Sequence, residues 1–357
     1  MTALDRTSNV SCSKSTITVN HKNQKICLDP RKDMDCDYIF VSHAHTDHLH
    51  RTKKRTKSNA KIITSTATSR IANGRGYELS NVCQDHGFEL LDSGHILGST
   101  GLLIEDDLYY TGDLSIRKRA FMKPAVIPKV KTLIIESTFG HEDYVFPRSE
   151  SIIHKANILI SEMYSQGRPI VLLGYPLGKA QILTQLFAQW EPIFVEDSIY
   201  KMNLLYSELG IDITCHTPYS VAENKGSLSS NKPWILIAPL NSTRNGFLEY
   251  VKRKYEPTTV GFSGWGIKPN FKYLLGLDHC FPFSDHCDYN DLISFVKRCS
   301  PEKVYTFHGF IDEFAHTLRC LGFDATSLKN KQELEGYATE SMVLTDYFDN
   351  IPKSQDN

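Results

Sequence analysis

Long apolar runs are missing from this chain. Those present, such as residues 133–135 and 235–240, fall far short of the roughly 18 residues that a bilayer-spanning helix needs. No excess of one charge sign is present either: 40 Lys and Arg face 41 Asp and Glu, a net charge of -1, which excludes a protein coated all over with cations for nucleic acid. The 9 cysteines are odd in number, scattered, and never spaced as CxxC, so neither a disulfide framework nor a thiolate zinc finger is indicated. The first residues, MTALDRTSNVSCSK, lack the basic start, apolar centre and small-residue cleavage site of a secretory signal, and a cytoplasmic protein without a membrane anchor is expected. What is present is ordinary globular composition, 41% hydrophobic and 23% charged. A length of 357 residues predicts about two domains.

The patterning supports an α/β protein in two parts. Up to about residue 145, short β-rich runs alternate with turn signals, at 15–19, 25–28, 38–41, 61–65, 88–91, 101–105, 108–111 and 131–136. From residue 149, helix and strand alternate: helical 150–165, strand 169–173, helical 179–190, and onward through strands at 193–195, 212–215, 234–238 and 259–262. Helices at 200–209 and 246–255 lie among them, and the polar stretch 220–232 reads as a loop. Further on, helices at 289–299 and 312–321 flank a strand at 303–307.

The chemistry begins at Val41-Ser42-His43-Ala44-His45-Thr46-Asp47-His48, directly after the apolar run 38–41. Three imidazoles and a carboxylate this close are hard to explain as packing. At an extended strand end His43 and His45 point the same way, and Asp47 and His48 follow as the chain turns, a nitrogen and oxygen set suited to Zn²⁺. One metal needs about four ligands and a pair of metals needs more, so others should emerge from other strand ends. His95, between glycines in SGHILGST (93–100), and Asp113, in TGDLS (111–115), stand at such places.

The order HxHxDH, then a downstream His, then Gly-Asp, resembles the metallo-β-lactamase superfamily of dinuclear metal hydrolases. ESTFG (136–140), GYPLGKAQ (174–181), FSDHCD (283–288) and FHG (307–309) narrow the resemblance to its β-CASP nucleases, over about residues 25–325. That family includes homologues of the nuclease of mRNA 3′-end processing and the short ligase-associated exonucleases of prokaryotes. The resemblance implies a metallo-β-lactamase αββα sandwich, residues 1–147 and 276–335, with an α/β β-CASP domain inserted at 148–275 and a tail at 336–357. It implies that His43, His45 and His95 ligate one zinc, that Asp47, His48 and His308 ligate the other, and that Asp113 bridges two Zn²⁺, with Mn²⁺ able to occupy similar sites. A hydroxide held between two such ions suits phosphodiester hydrolysis. The leaving oxygen then needs a proton, a role that falls to His286 with Glu136 holding its imidazole; His286, Glu136 and Asp47 form the expected catalytic set.

Basic residues begin within four positions of predicted ligands, with Lys54 and Arg55 in one cluster and Arg117 and Lys118 in another. Lys179, at a turn entering a helix, is a candidate for receiving a phosphate, and Trp265 for stacking on a base. The expected substrate is single-stranded RNA or DNA. By resemblance to family members, His308 leans toward RNA processing, and the compact length with ESTFG, SGW and SDH leans toward DNA repair. A homodimer and repair or RNA-processing partners are expected by resemblance alone. Two other readings remain: a catalytically silent β-CASP scaffold subunit, which would lose metal ligands, and a small-molecule metallo-hydrolase, which would need neither Glu136 nor His286.

Overall fold

The computed structural model describes residues 9–13, 16–32, 34–49, 60–79, 81–83, 87–229, 231–240 and 246–329. They divide into two compact units. The first comprises the described parts of Met1–Arg117, Lys123–Asp143 and His286–Asn357, and the second those of Lys118–Met122 and Tyr144–Asp285.

The first unit opens with a five-stranded sheet in sequence order, β1 (Asn9–Ser13), β2 (Thr16–His21), β3 (Gln24–Leu28), β4 (Tyr38–Phe40) and β5 (Lys61–Ile63). Helix α1 (Thr66–Gly74) follows, then strands β6 (Phe88–Asp92), β7 (Thr100–Ile104), β8 (Leu108–Tyr110) and β9 (Thr132–Ser137) of a second sheet. Side chains alternate across these strands. Leu102 and Ile104 of β7 therefore join Val19, Ile26, Leu28 and Phe40 in a core between the two sheets, while Leu103 faces the opposite way.

The second unit is a six-stranded parallel sheet with helices. In chain order it runs α2 (Ser149–Ser165), β10 (Ile170–Gly174), α3 (Lys179–Leu186), β11 (Ile193–Val195), α4 (Asp197–Glu208), β12 (Thr217–Pro218), α5 (Tyr219–Asn224), β13 (Ile235–Pro239), α6 (Gly246–Tyr255), β14 (Thr258–Ser263), α7 (Phe271–Leu274) and β15 (His279–Pro282). The strand order is β12-β11-β13-β10-β14-β15. Strands β10, β13 and β14 are buried along their whole length, as a parallel sheet covered on both faces requires. Because β15 pairs with β14 through residues 279–282, this unit continues beyond residue 275.

The chain then returns to the first unit with α8 (Tyr289–Cys299), β16 (Lys303–Gly309), α9 (Ile311–Cys320) and β17 (Asp324–Ser327), which extend the second sheet to β17-β16-β9-β8-β7-β6. Leu292, Phe295, Val296 and Cys299 recur at helical spacing on α8 and pack with Phe314 and Leu318 of α9 against the outer face of that sheet. The mixed α/β class, and the sandwich interrupted by an inserted domain, are those expected from the sequence. Among the described residues no helix is long and apolar enough to cross a membrane, and no two cysteines form a disulfide.

Three local expectations are corrected. Residues 212–215 form no strand; the pairing to β11 is made by Thr217 and Pro218. The stretch 220–232 is not all loop, because Tyr219 and Ala222, three apart, bury one face of α5. Helix α1 was not foreseen, since TATSRIANG lacks a strong apolar stripe. Its start is set by tertiary and capping contacts instead: Ser65 caps Thr68 N at 3.0 Å, and the hydroxyls of Ser65 and Thr68 donate to the carbonyl of Gly98.

Arg117 ties the return segment to the sheet. Its guanidinium pairs with Asp288, the N-cap of α8, and its Nε lies 2.6 Å from Asp291 Oδ2. The Asp288 side chain is fully buried, so losing the cation would leave an uncompensated carboxylate. Arg117→Met is expected to lower stability by about 2 kcal/mol, below the usual cost for a buried pair because the arginine is partly exposed. Urea denaturation followed by circular dichroism measures this, and an unchanged midpoint would contradict it.

Candidate metal centre

Strand ends build the site. Val41 N still donates to Ile63 O, so the chain leaves β4 in extended form and reaches Ser42 and His43 before it turns at residues 46–48. Arg75, just beyond α1, grips this turn by donating to Ala44 O and, at 3.2 Å, to Thr46 Oγ1. His95 leaves β6 through a tight turn in which Ser99 Oγ accepts from the backbone N–H groups of His95 and Ile96, each at 3.1 Å. Gly94 makes that turn at φ +74°, and a Cβ there would lie 2.2 Å from Ser115 O.

Four side chains converge. His45 Nδ1 lies 3.0 Å from His43 Nε2 and 3.1 Å from His95 Nε2, and Asp113 Oδ2 lies 3.4 Å and 3.5 Å from those two Nε2 atoms. All four donor atoms fall within 4.8 Å of one another. Ligands bound to one zinc at about 2.0–2.1 Å in tetrahedral array stand about 3.3 Å apart, so these separations fit a divalent cation. Ser42 Oγ, 3.0 Å from His43 Nδ1, leaves the other ring nitrogen facing the centre.

Beside this set, His48 Nε2 lies 3.4 Å from Asp113 Oδ1 and 3.6 Å from Asp47 Oδ2. Neither His48 Nε2 nor Asp113 Oδ1 has a hydrogen-bond partner among the described residues, though both atoms are buried. Two buried polar atoms 3.4 Å apart are thus left with unused bonding capacity. His308 is exposed, and its charge acts on Asp47 and Asp113. It occupies the β16 position where pairing with β9 slips between Phe307 and Gly309, at φ +58°. Ser137 Oγ reaches both carbonyls of that slip, Phe307 O at 3.1 Å and His308 O at 2.7 Å.

The electrostatics follow from this crowding. Burial, then the neighbouring imidazoles, push His43 well below its ordinary pKa. Burial also works against charge on His48, but Asp113, Asp47 and Asp29 outweigh it and lift the group to about 10. At Asp47 burial opposes ionisation, yet His48, His45 and His308 bring it down to about 2. Asp113 is raised, chiefly by burial.

Glu136 and His286 form a dyad at the same place. His286 Nδ1 is 3.0 Å from Glu136 Oε1 and 3.2 Å from Oε2, and its ring lies 4.5 Å from that of His95. Glu136 is fully buried; burial raises its pKa, but the charge and hydrogen bond of His286, with donors from Thr138 and Leu114, outweigh this and hold it below the usual carboxylate value.

Of the cations expected at the substrate, Arg117 and Lys179 are committed to carboxylates elsewhere. Lys54 and Arg55 lie outside the described residues. Lys118 is exposed, whereas the Arg117 guanidinium is committed to Asp288 and Asp291. The phosphate-receiving role expected for Lys179 gives way to a structural one within the second unit: the side chain is buried, and Nζ donates to Phe283 O at 2.7 Å and pairs with Asp285 Oδ1 at 2.8 Å. Trp265, expected to stack on a base, is buried with its ring edge-on to Tyr144.

One residue of the site escaped sequence reasoning. Asp29, buried just after β3, accepts from Ser42 N and Ser42 Oγ, each at 2.7 Å, and from Tyr110 Oη at 2.9 Å, and its Oδ2 lies 2.8 Å from His48 Nδ1. Its signal was positional, a carboxylate directly after the apolar run 26–28, as Asp113 follows 108–110. By orienting His48 it should govern metal affinity. Zn²⁺ added to metal-free protein is expected to raise the thermal midpoint, with stabilisation of about 2.7 kcal/mol at 100 times Kd. His43→Ala should abolish the rise, and Asp29→Asn should weaken Zn²⁺ binding about 10–100-fold in calorimetry.

Known proteins bear on this geometry. Residues 279–321 match the family model of the Zn-dependent metallo-hydrolase RNA specificity domain. A probable DNA ligase of Opitutus terrae is 31% identical over 312 residues, covering 83% of this chain and 29% of that protein. An RNase J-like protein of Methanocaldococcus jannaschii is 24% identical over 78% of this chain and 82% of its own length. The transcription termination factor FttA of the same organism is 25% identical over 65% of this chain and 47% of its own. The chain thus spans under a third of the ligase and about half of the termination factor. With the histidine and aspartate cluster, the glutamate and histidine dyad and the inserted parallel-sheet unit in place, these similarities show that the chain belongs to the β-CASP family of the metallo-β-lactamase superfamily.

Proposed function

We propose that the protein is a metal-dependent nuclease that hydrolyses phosphodiester bonds in single-stranded RNA or DNA. The observation that carries this reading is the juxtaposition of the four converging donors with a buried carboxylate and imidazole pair. His43, His45, His95 and Asp113 would hold one divalent cation, and Asp113 with Asp47, His48 and His308 the other. Nitrogen and carboxylate donors of this kind favour Zn²⁺. When bound, the cations supply Lewis acidity toward the phosphoryl oxygens and lower the pKa of water to make a nucleophile at neutral pH.

The chain's own residues do the rest. The Glu136 carboxylate can only accept, so His286 Nδ1 must carry a proton, and Nε2 is the nitrogen left to exchange one. A protonated Nε2 donates to the leaving 3′ oxygen as the bond to phosphorus breaks, and the ring becomes neutral. Asp29 and Ser42 keep the His48 and His43 rings aimed inward. A silent scaffold would have no use for this complete set of donors, and a small-molecule hydrolase would have no use for the dyad.

One oligonucleotide sequence, made as single-stranded RNA and as DNA and labelled at either end, tests the reading in the presence of Zn²⁺ or Mn²⁺. Wild type should cut, Asp47→Ala should not, and His286→Ala should lower kcat about 10²–10⁴-fold. The preferred sugar separates RNA processing from DNA repair. Equal background cleavage by all three proteins would overturn the proposal.

A further inference from the structure

Glu136 is fixed by more than His286. Its Oε1 accepts from Leu114 N at 2.5 Å, and its Oε2 accepts from the hydroxyl of Thr138 and, at 3.4 Å, from Thr138 N. Both residues are buried, Glu136 completely and Thr138 at 3% exposure. The backbone donor at Leu114 belongs to the segment after β8, so it arrives with Asp113 whatever side chain stands at 114. Among the described residues, the Thr138 hydroxyl and His286 Nδ1 are the side-chain donors to this carboxylate. It sits two residues beyond Glu136, where the chain has left β9 and turns back.

We propose that Thr138 is a positioning residue for the general acid: its hydroxyl fixes the Glu136 carboxylate against His286 Nδ1, and this keeps the imidazole in the tautomer and orientation whose Nε2 serves the leaving oxygen. The inference rests on the nuclease reading for its catalytic consequence, but not for the link itself. A carboxylate held at Oε1 alone can rotate about its last bond and carry its oxygens away from Nδ1, which weakens its grip on the ring's orientation and tautomer. With Oε2 also held, both oxygens stay within 3.2 Å of Nδ1. The proton transfer is unchanged in kind: Nε2–H gives its proton to the leaving oxygen, and Nδ1–H stays on the ring.

Thr138→Val keeps the shape and removes the hydroxyl, and Thr138→Ser restores it. Histidine labelled with ¹⁵N reports the His286 tautomer in the full-length protein, with the signal assigned by its loss in His286→Ala. The Nδ1–H signal should be present in wild type and Thr138→Ser, and lost or shifted in Thr138→Val. On single-stranded oligonucleotide with Zn²⁺, Thr138→Val should lower kcat about 10-fold with KM unchanged, Thr138→Ser should recover it, and the loss should vanish in a His286→Ala background. An unaltered tautomer in Thr138→Val, or a loss that multiplies with His286→Ala, would overturn the proposal. Thr138→Ala repeats the comparison if the valine variant does not fold. Tautomer changes as expected in a wild type that cuts neither nucleic acid would support the link and sink the nuclease reading instead.

Discussion

Lone pairs held close together in a dry place repel one another, and His43, His45, His95 and Asp113 present theirs within 4.8 Å. A neutral imidazole has one N–H to give, so three rings meeting at one point cannot satisfy each other by hydrogen bonding alone. Burial opposes charge on them and protonating them brings like charges together, which is why His43 is held well below its usual pKa. A cation resolves the conflict; without one the scaffold must hold the donors in place. The outer hydrogen bonds from Ser42, Asp29, Ser99 and Arg75 are that restraint.

The fold delivers these groups by one device. Asp29 follows β3, His43 to His48 follow β4, His95 follows β6, Asp113 follows β8, Glu136 ends β9 but for one residue, and His308 is next to last in β16. All are at the C-terminal ends of strands, and two sheets packed face to face bring such ends together. A strand end suits the purpose because its backbone is anchored on one side by ladder hydrogen bonds while the next residues are free to turn. Where the turn must be very tight, the sequence supplies glycine, as at Gly94, or a left-handed residue under restraint, as at His308 against Ser137.

Charged side chains show the opposite behaviour. Arg117 and Lys179 stand in suggestive places along the chain, yet both end in ion pairs with carboxylates on later segments, Asp288 and Asp285. A long cationic side chain reaches several ångströms in any direction, so sequence position constrains its head group weakly. A histidine two residues from another on an extended strand has far less freedom, and its neighbours in sequence remain its neighbours at the site.

The sequence by itself determined the α/β class, a second α/β unit, and the cluster of donors from His43 to His48, because these depend on periodicity and on spacings of a few residues, while the insertion of that unit came from family resemblance. It also placed His95, Asp113, Glu136, His286 and His308 at element ends by local pattern and family resemblance. Only the tertiary structure decided that Asp29 and Thr138 hold the imidazole and carboxylate groups in register, that Arg75 and α1 brace the metal-site turn, and that Lys179 and Trp265 are buried within their own unit. Those contacts join residues that are remote in sequence or differ only in which way a side chain turns, and no local pattern encodes either. What closes the site is packing across two sheets, a property of the folded chain as a whole.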